Sequence, residues 1–167
     1  MIEYMTGRYS SGIFGSFFFL FSFLFIFSTI SYAQEELESP SAHERTLLAE
    51  GFTAEKLWLW QKRLGLQDWN ITVAVVHANE LKPKTLGNIH WELDKKKALI
   101  RVLDPADYHM PLKEMLEDME FTVVHELIHL ELAPVLADLQ RTDANRRQEE
   151  HSVNHVADAL LTLERKQ

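Results

Sequence analysis

Residues 112–132 read LKEMLEDMEFTVVHELIHLEL, and this stretch sets the architecture of the chain. Leu112, Met115, Leu116, Met119, Val123, Leu127 and Leu130 recur at intervals of three and four, the period of a helix with a buried stripe. Pro111 sits where a helix can begin, and Pro134 is expected to stop it. Inside the stretch lies His125-Glu126-Leu127-Ile128-His129, an HExxH pattern. At 100° per residue His125 and His129 are about 40° apart around the axis and one turn apart along it, so both imidazoles can reach one metal ion. Glu126 lies about 60° from His129, close enough to approach water on that metal without binding the metal itself. Apolar residues fill the other positions, so the two imidazoles and the carboxylate enter a largely apolar surface. Burying them without partners would cost several kcal/mol, and a metal supplies the partner.

The residue types favour zinc, since imidazoles and a carboxylate are present and no thiolate is available in a chain without Cys. Zinc lowers the pKa of its water toward neutrality, and Glu126 is placed to take the proton during attack on an amide carbonyl. A catalytic zinc keeps three protein ligands, so a third must come from elsewhere. The variant with Gly and a third His further along the same run is excluded, because Leu132 and Val135 occupy those positions. The next donors are Glu149 and Glu150, on a final helix expected from Glu149 to about Leu163 with Val153, Val156, Ala157, Leu160 and Leu163 as its apolar face. Glu149 lies about 30° from the centre of that stripe and Glu150 about 70°. His151 and His155 point away from it and read as solvated helix histidines.

The run HELIH followed by Glu150-x-x-Val153-Asn154-x-Val156-Ala157-x-x-Leu160-Leu161 resembles the gluzincin group of zinc metallopeptidases, and is similar to the ImmA/IrrE-type peptidases. The resemblance spans residues 121–161. It implies Glu150 as the third zinc ligand, and Asn154, one turn later, as the residue that orients a ligating histidine. It also implies peptide hydrolysis, a small sheet beside the metal helix, and an edge strand, here assigned to Gly87–Leu93, that pairs with extended substrate. Glu131, in place of an apolar residue, and Ser152, in place of an acid, depart from the family pattern.

Upstream, Leu57, Trp60 and Leu64 form a helical stripe with Thr53 as its expected N-cap, ending at Gly65. Three strands follow at Trp69–Val76, Ile89–Leu93 and Ala98–Leu103. Short connections between them favour an antiparallel meander. The fold class is therefore α+β and zincin-like: a mostly antiparallel three-stranded sheet packed with the metal helix and a glutamate-bearing C-terminal helix. Tyr108, His109, Arg146 and His90 are candidates to stabilise an oxyanion, with none preferred. Trp58, Trp60, Trp69 and Trp91 read as core or core-edge residues.

Composition bounds the rest. Eight of ten Phe fall between Phe14 and Phe27, where Phe17–Phe27 reads FFFLFSFLFIF. Residues 1–33 therefore read as a signal peptide cleaved after Ala33, with export as the consequence, or alternatively as a membrane anchor through residues 13–30. Removing them takes away Glu3 and Arg8, so the net charge of −8 belongs to 34–167. An acidic domain is a poor partner for nucleic acid. Residues 34–51 read as a polar lead-in, and 52–167 as the metallopeptidase domain, with a peptide or protein substrate and Zn2+ as cofactor. Two rivals are a zinc-containing module that binds without hydrolysing, and an anchored helical protein whose HExxH is accidental.

Overall fold

A computed structural model describes residues 40–166; the proposed signal peptide or anchor lies outside the described residues. The chain runs α1 (Ala42–Arg63), β1 (Asn70–Val76), β2 (Gly87–Glu92), β3 (Lys97–Leu103), α2 (Leu112–Leu136) and α3 (Asp143–Glu164), with three single-turn 3-10 helices between them. It is a mixed α/β arrangement of three helices and one small sheet. None of the described helices is long and apolar enough to cross a membrane.

The sheet corrects the expected meander. Its order is β1-β3-β2, with β1 parallel to β3 from Asn70↔Lys97 to Val76↔Leu103, and β2 antiparallel to β3 from Gly87↔Val102 to Glu92↔Lys97. Pairing consecutive strands ignored the reach of residues 77–86, which are long enough to carry the chain past one empty lane before β2 begins. The β2–β3 hairpin then returns β3 into that lane. Burial explains the choice: Ala98, Ile100, Val102 and Leu103 of β3 are buried, whereas every residue of β1 and β2 is half-buried or exposed. The most apolar strand takes the centre, and β2 is left as an edge.

Helix bounds also differ. α1 begins ten residues before Phe52, because Ser41-Ala42-His43-Glu44 is a capping box in which Glu44 N–H donates to Ser41 Oγ and Ser41 N–H donates to Glu44 Oε2. The polar lead-in is thus helical from Ala42 onward. Thr53, the expected cap, is buried in mid-helix and donates to the Ala49 carbonyl at 2.8 Å. α2 continues through Pro134 to Leu136, since a proline in the last turn removes only one terminal backbone bond. α3 starts at Asp143, capped by Thr142 Oγ1 accepting from Asn145 N–H, six residues before the expected start.

α2 is the centre of the core. It packs against α1, α3, β2 and β3, so from Thr122 to Leu130 every residue except His125 is buried. A helix enclosed on several sides loses the one-sided stripe of a surface helix. Trp60 joins α1 to it by donating its indole N–H to Glu120 Oε1 at 2.9 Å, an oxygen that Lys56 also approaches. Trp60 and Trp69 are buried and Trp91 half-buried, as core-edge residues should be, but Trp58 is 66% exposed with Lys62 over its ring. Val153, Ala157 and Leu161 close the core from α3.

Candidate metal centre

His125 and His129 leave α2 one turn apart, and their rings meet with centroids 4.7 Å apart. Their Nε2 atoms face each other at 3.0 Å. Glu150, projecting from α3, places Oε2 3.3 Å from His125 Nε2 and Oε1 3.5 Å from His129 Nε2. One donor atom from each of these three residues fits within a 4.8 Å sphere of mutual distances, which makes them a candidate metal-binding triad. Tetrahedral zinc with bonds of about 2.0–2.2 Å needs donor atoms roughly 3.3–3.5 Å apart. The two Nε2 atoms are slightly closer than that, and each has a different Glu150 oxygen at 3.3 or 3.5 Å.

The far side of each ring fixes its chemistry. His125 Nδ1 lies 3.0 Å from Asn154 Oδ1, and His129 Nδ1 lies 2.9 Å from Glu149 Oε1. Both partners are acceptors, which suits each Nδ1 to donate and each Nε2 to turn its lone pair toward a metal ion. Two imidazole nitrogens and a carboxylate converging on one point are relieved of mutual repulsion by a positive charge between them. The donor set therefore fits a divalent metal. Burial and the neighbouring His129 lower the pKa of His125, which keeps its imidazole neutral and able to ligate.

The two adjacent glutamates divide their work. Glu149 is the more buried, at 9% exposure against 57% for Glu150, and holds the outer face of His129. Its second oxygen accepts from Arg141 at 2.6 Å, so the connection between α2 and α3 is tied to the same cluster. The offset of Glu149 toward the apolar stripe was the signal for this role, whereas nothing in the spacing pointed to Arg141. Glu126, the remaining motif acid, is buried, and its pKa is pushed up to about 8 by burial and then by the charge of Glu150.

A cleft of about 550 Å³ opens over this cluster, between β2 and the α2–α3 pair. Gly87 makes the close approach of its walls possible: a Cβ there would lie 2.4 Å from Thr122 Cγ2 and 2.6 Å from the Arg101 carbonyl. None of the four expected oxyanion donors lines the cleft. Tyr108 is buried and donates its hydroxyl to Asp118 at 2.9 Å; burial foremost raises its pKa. His90 lines a separate depression with Asn70 and Thr72, and His109 and Arg146 are exposed elsewhere. Cations that do line the cleft are Lys82, Lys84 and Arg141. Comparison with known protein families, curated proteins and solved structures finds no match.

Proposed function

We propose that this chain is a zinc-dependent metallopeptidase of gluzincin-like, zincin-type build, with His125, His129 and Glu150 as ligands and Glu126 as general base. The observation that carries the reading is the pair of Nε2 atoms facing each other at 3.0 Å beside a carboxylate, each ring held from behind by an acceptor. Zinc held by this set supplies Lewis acidity, making water a nucleophile at neutral pH and polarising a carbonyl.

The chain's own groups do the rest. Glu126 accepts the proton that water releases as its oxygen attacks the carbonyl carbon, and returns it to the nitrogen as the C–N bond breaks. In the metal-free protein, burial and then the charge of Glu150 raise the affinity of this carboxyl for protons. Asn154 and Glu149 keep the imidazoles from rotating. β2, an edge strand beside the cluster, offers unpaired backbone groups to an extended peptide. With the N-terminal segment read as a cleaved leader, the peptidase acts outside the cytoplasm; read as an anchor, it acts at a membrane surface.

Metal content and hydrolysis of a mixed peptide library by the purified full chain test this reading. One zinc per chain, lost in His129→Ala and kept in Glu126→Gln together with lost hydrolysis, is the expected result. One observation favours the non-hydrolysing zinc module instead: none of Tyr108, His109, Arg146 and His90 reaches the cleft. Wild-type zinc content with no hydrolysis of any peptide would select that alternative.

A further inference from the structure

We propose that the cleft selects peptides carrying an acidic side chain, which Lys82 and Lys84 receive on the turn leading into β2. The inference rests on the peptidase reading only in taking a peptide as the cleft's occupant. Lys82-Pro83-Lys84-Thr85 closes through Thr85 N–H donating to the Lys82 carbonyl at 3.1 Å, reinforced by Thr85 Oγ1 on the same oxygen at 2.8 Å. Proline second and a positive φ third, 65° at Lys84, is the pattern of a type II turn. That third position favours Gly or Asn, so a lysine there is held against its backbone preference. Such strain is retained where the side chain is used.

Lys96 offers the internal comparison. It also has positive φ, 48°, but its ammonium pairs with Asp68, as the neighbouring Lys95 pairs with Glu92. Among the described residues the ion-paired lysines are Lys56, Lys95, Lys96 and Lys113; Lys82 and Lys84 are not among them, and both line the cleft. Two ammonium groups are thus free on the cleft wall of a chain whose net charge is −8. Lys84 precedes Gly87 by three residues, and the cleft's other cation, Arg141, is already held by Glu149. Of the cleft's four carboxylates, Asp118 accepts from the Tyr108 hydroxyl, Glu149 accepts from Arg141, Glu150 belongs to the metal triad, and Glu126 is the remaining motif acid. An extended peptide along β2 would pass both lysines, and a Glu or Asp side chain is the partner their charge fits.

The test measures binding apart from hydrolysis. Fluorescence anisotropy of labelled peptides differing only by Glu, Gln or Lys at one position is recorded on the full-length Glu126→Gln chain. The Glu peptide is expected to bind about three- to tenfold tighter than the Gln peptide at low salt, an advantage that shrinks as salt rises. Lys82→Ala/Lys84→Ala should abolish that ratio and Lys82→Glu/Lys84→Glu should turn it toward the Lys peptide, while Lys95→Ala/Lys96→Ala, with the same change in net charge, keeps it. A ratio that survives the Lys82/Lys84 changes, falls equally in the Lys95/Lys96 control, or never exceeds one overturns the proposal, as does failure of every peptide to bind. Wild type that binds the Glu peptide selectively but cleaves nothing sinks the peptidase reading alone. Wild type that cleaves Glu and Gln peptides equally well, with equal affinities, sinks this proposal alone.

Discussion

The chain carries two histidine pairs at the same spacing, and among the described residues only one belongs to a candidate metal-binding triad. His125 and His129 on α2, and His151 and His155 on α3, bring their rings to 4.7 Å and 4.4 Å respectively. The pairs differ in everything else. The first is set into the protein, with an acceptor behind each ring and an acid in front. The second is exposed, and only the first meets a third donor among the described residues. Spacing brings two rings together; enclosure and the outer partners orient the first pair, so that its Nε2 atoms converge beside Glu150.

The widest separation between the pairs should appear in metal binding and in catalysis. His129→Ala is expected to remove tight zinc binding and hydrolysis, whereas His151→Ala/His155→Ala should leave zinc content, measured by elemental analysis, at its original stoichiometry. Equal losses from the two pairs would break the comparison. Glu126→Gln should retain zinc while lowering the hydrolysis rate by roughly 10²–10⁴, read from steady-state kinetics.

Outer partners should matter less than ligands but more than surface groups. Glu149→Ala and Asn154→Ala are each expected to weaken zinc affinity about 10- to 100-fold in competition titrations with a chelator. Arg141→Ala, acting through Glu149, should weaken it less.

Titration sharpens the contrast without a substrate. In the metal-free protein, folded Glu126 keeps its proton up to about pH 8, whereas in the unfolded chain it releases that proton near 4.5. The folded state therefore binds more protons between those values, and this group's contribution to stability is fullest below 4.5 and falls as pH rises toward 8. Glu126→Gln should remove that slope, leaving the variant more stable than wild type at pH 8 by on the order of a few kcal/mol in urea melts. Gly87→Ala, distant from both pairs in sequence, should cost about 1–3 kcal/mol through its overlap with Thr122 and the Arg101 carbonyl.

Much of this centre was legible in the sequence for a definite reason. Helical periodicity is local, so the stripe from Leu112 to Leu130 and the shared face of His125 and His129 follow from spacing alone. The convergence of Glu150 required a resemblance as well, because spacing left Glu149 and Glu150 both open. What stayed hidden depends on contacts between distant segments. The parallel pairing of β1 with β3 turns on how far residues 77–86 can reach, and Arg141 finds Glu149 only once the α2–α3 connection has folded. The start of α1 is a different matter: the Ser41 and Glu44 signature was present, but lay within a stretch read by its polarity.

Glu150 comes late, on the last of the described elements, while both imidazoles come from the helix before it. During synthesis the ribosome thus releases an incomplete centre first. A chain halted before Asp143 has His125 and His129 but neither Glu149 nor Glu150, so the three-donor cluster cannot close until the last helix has been made.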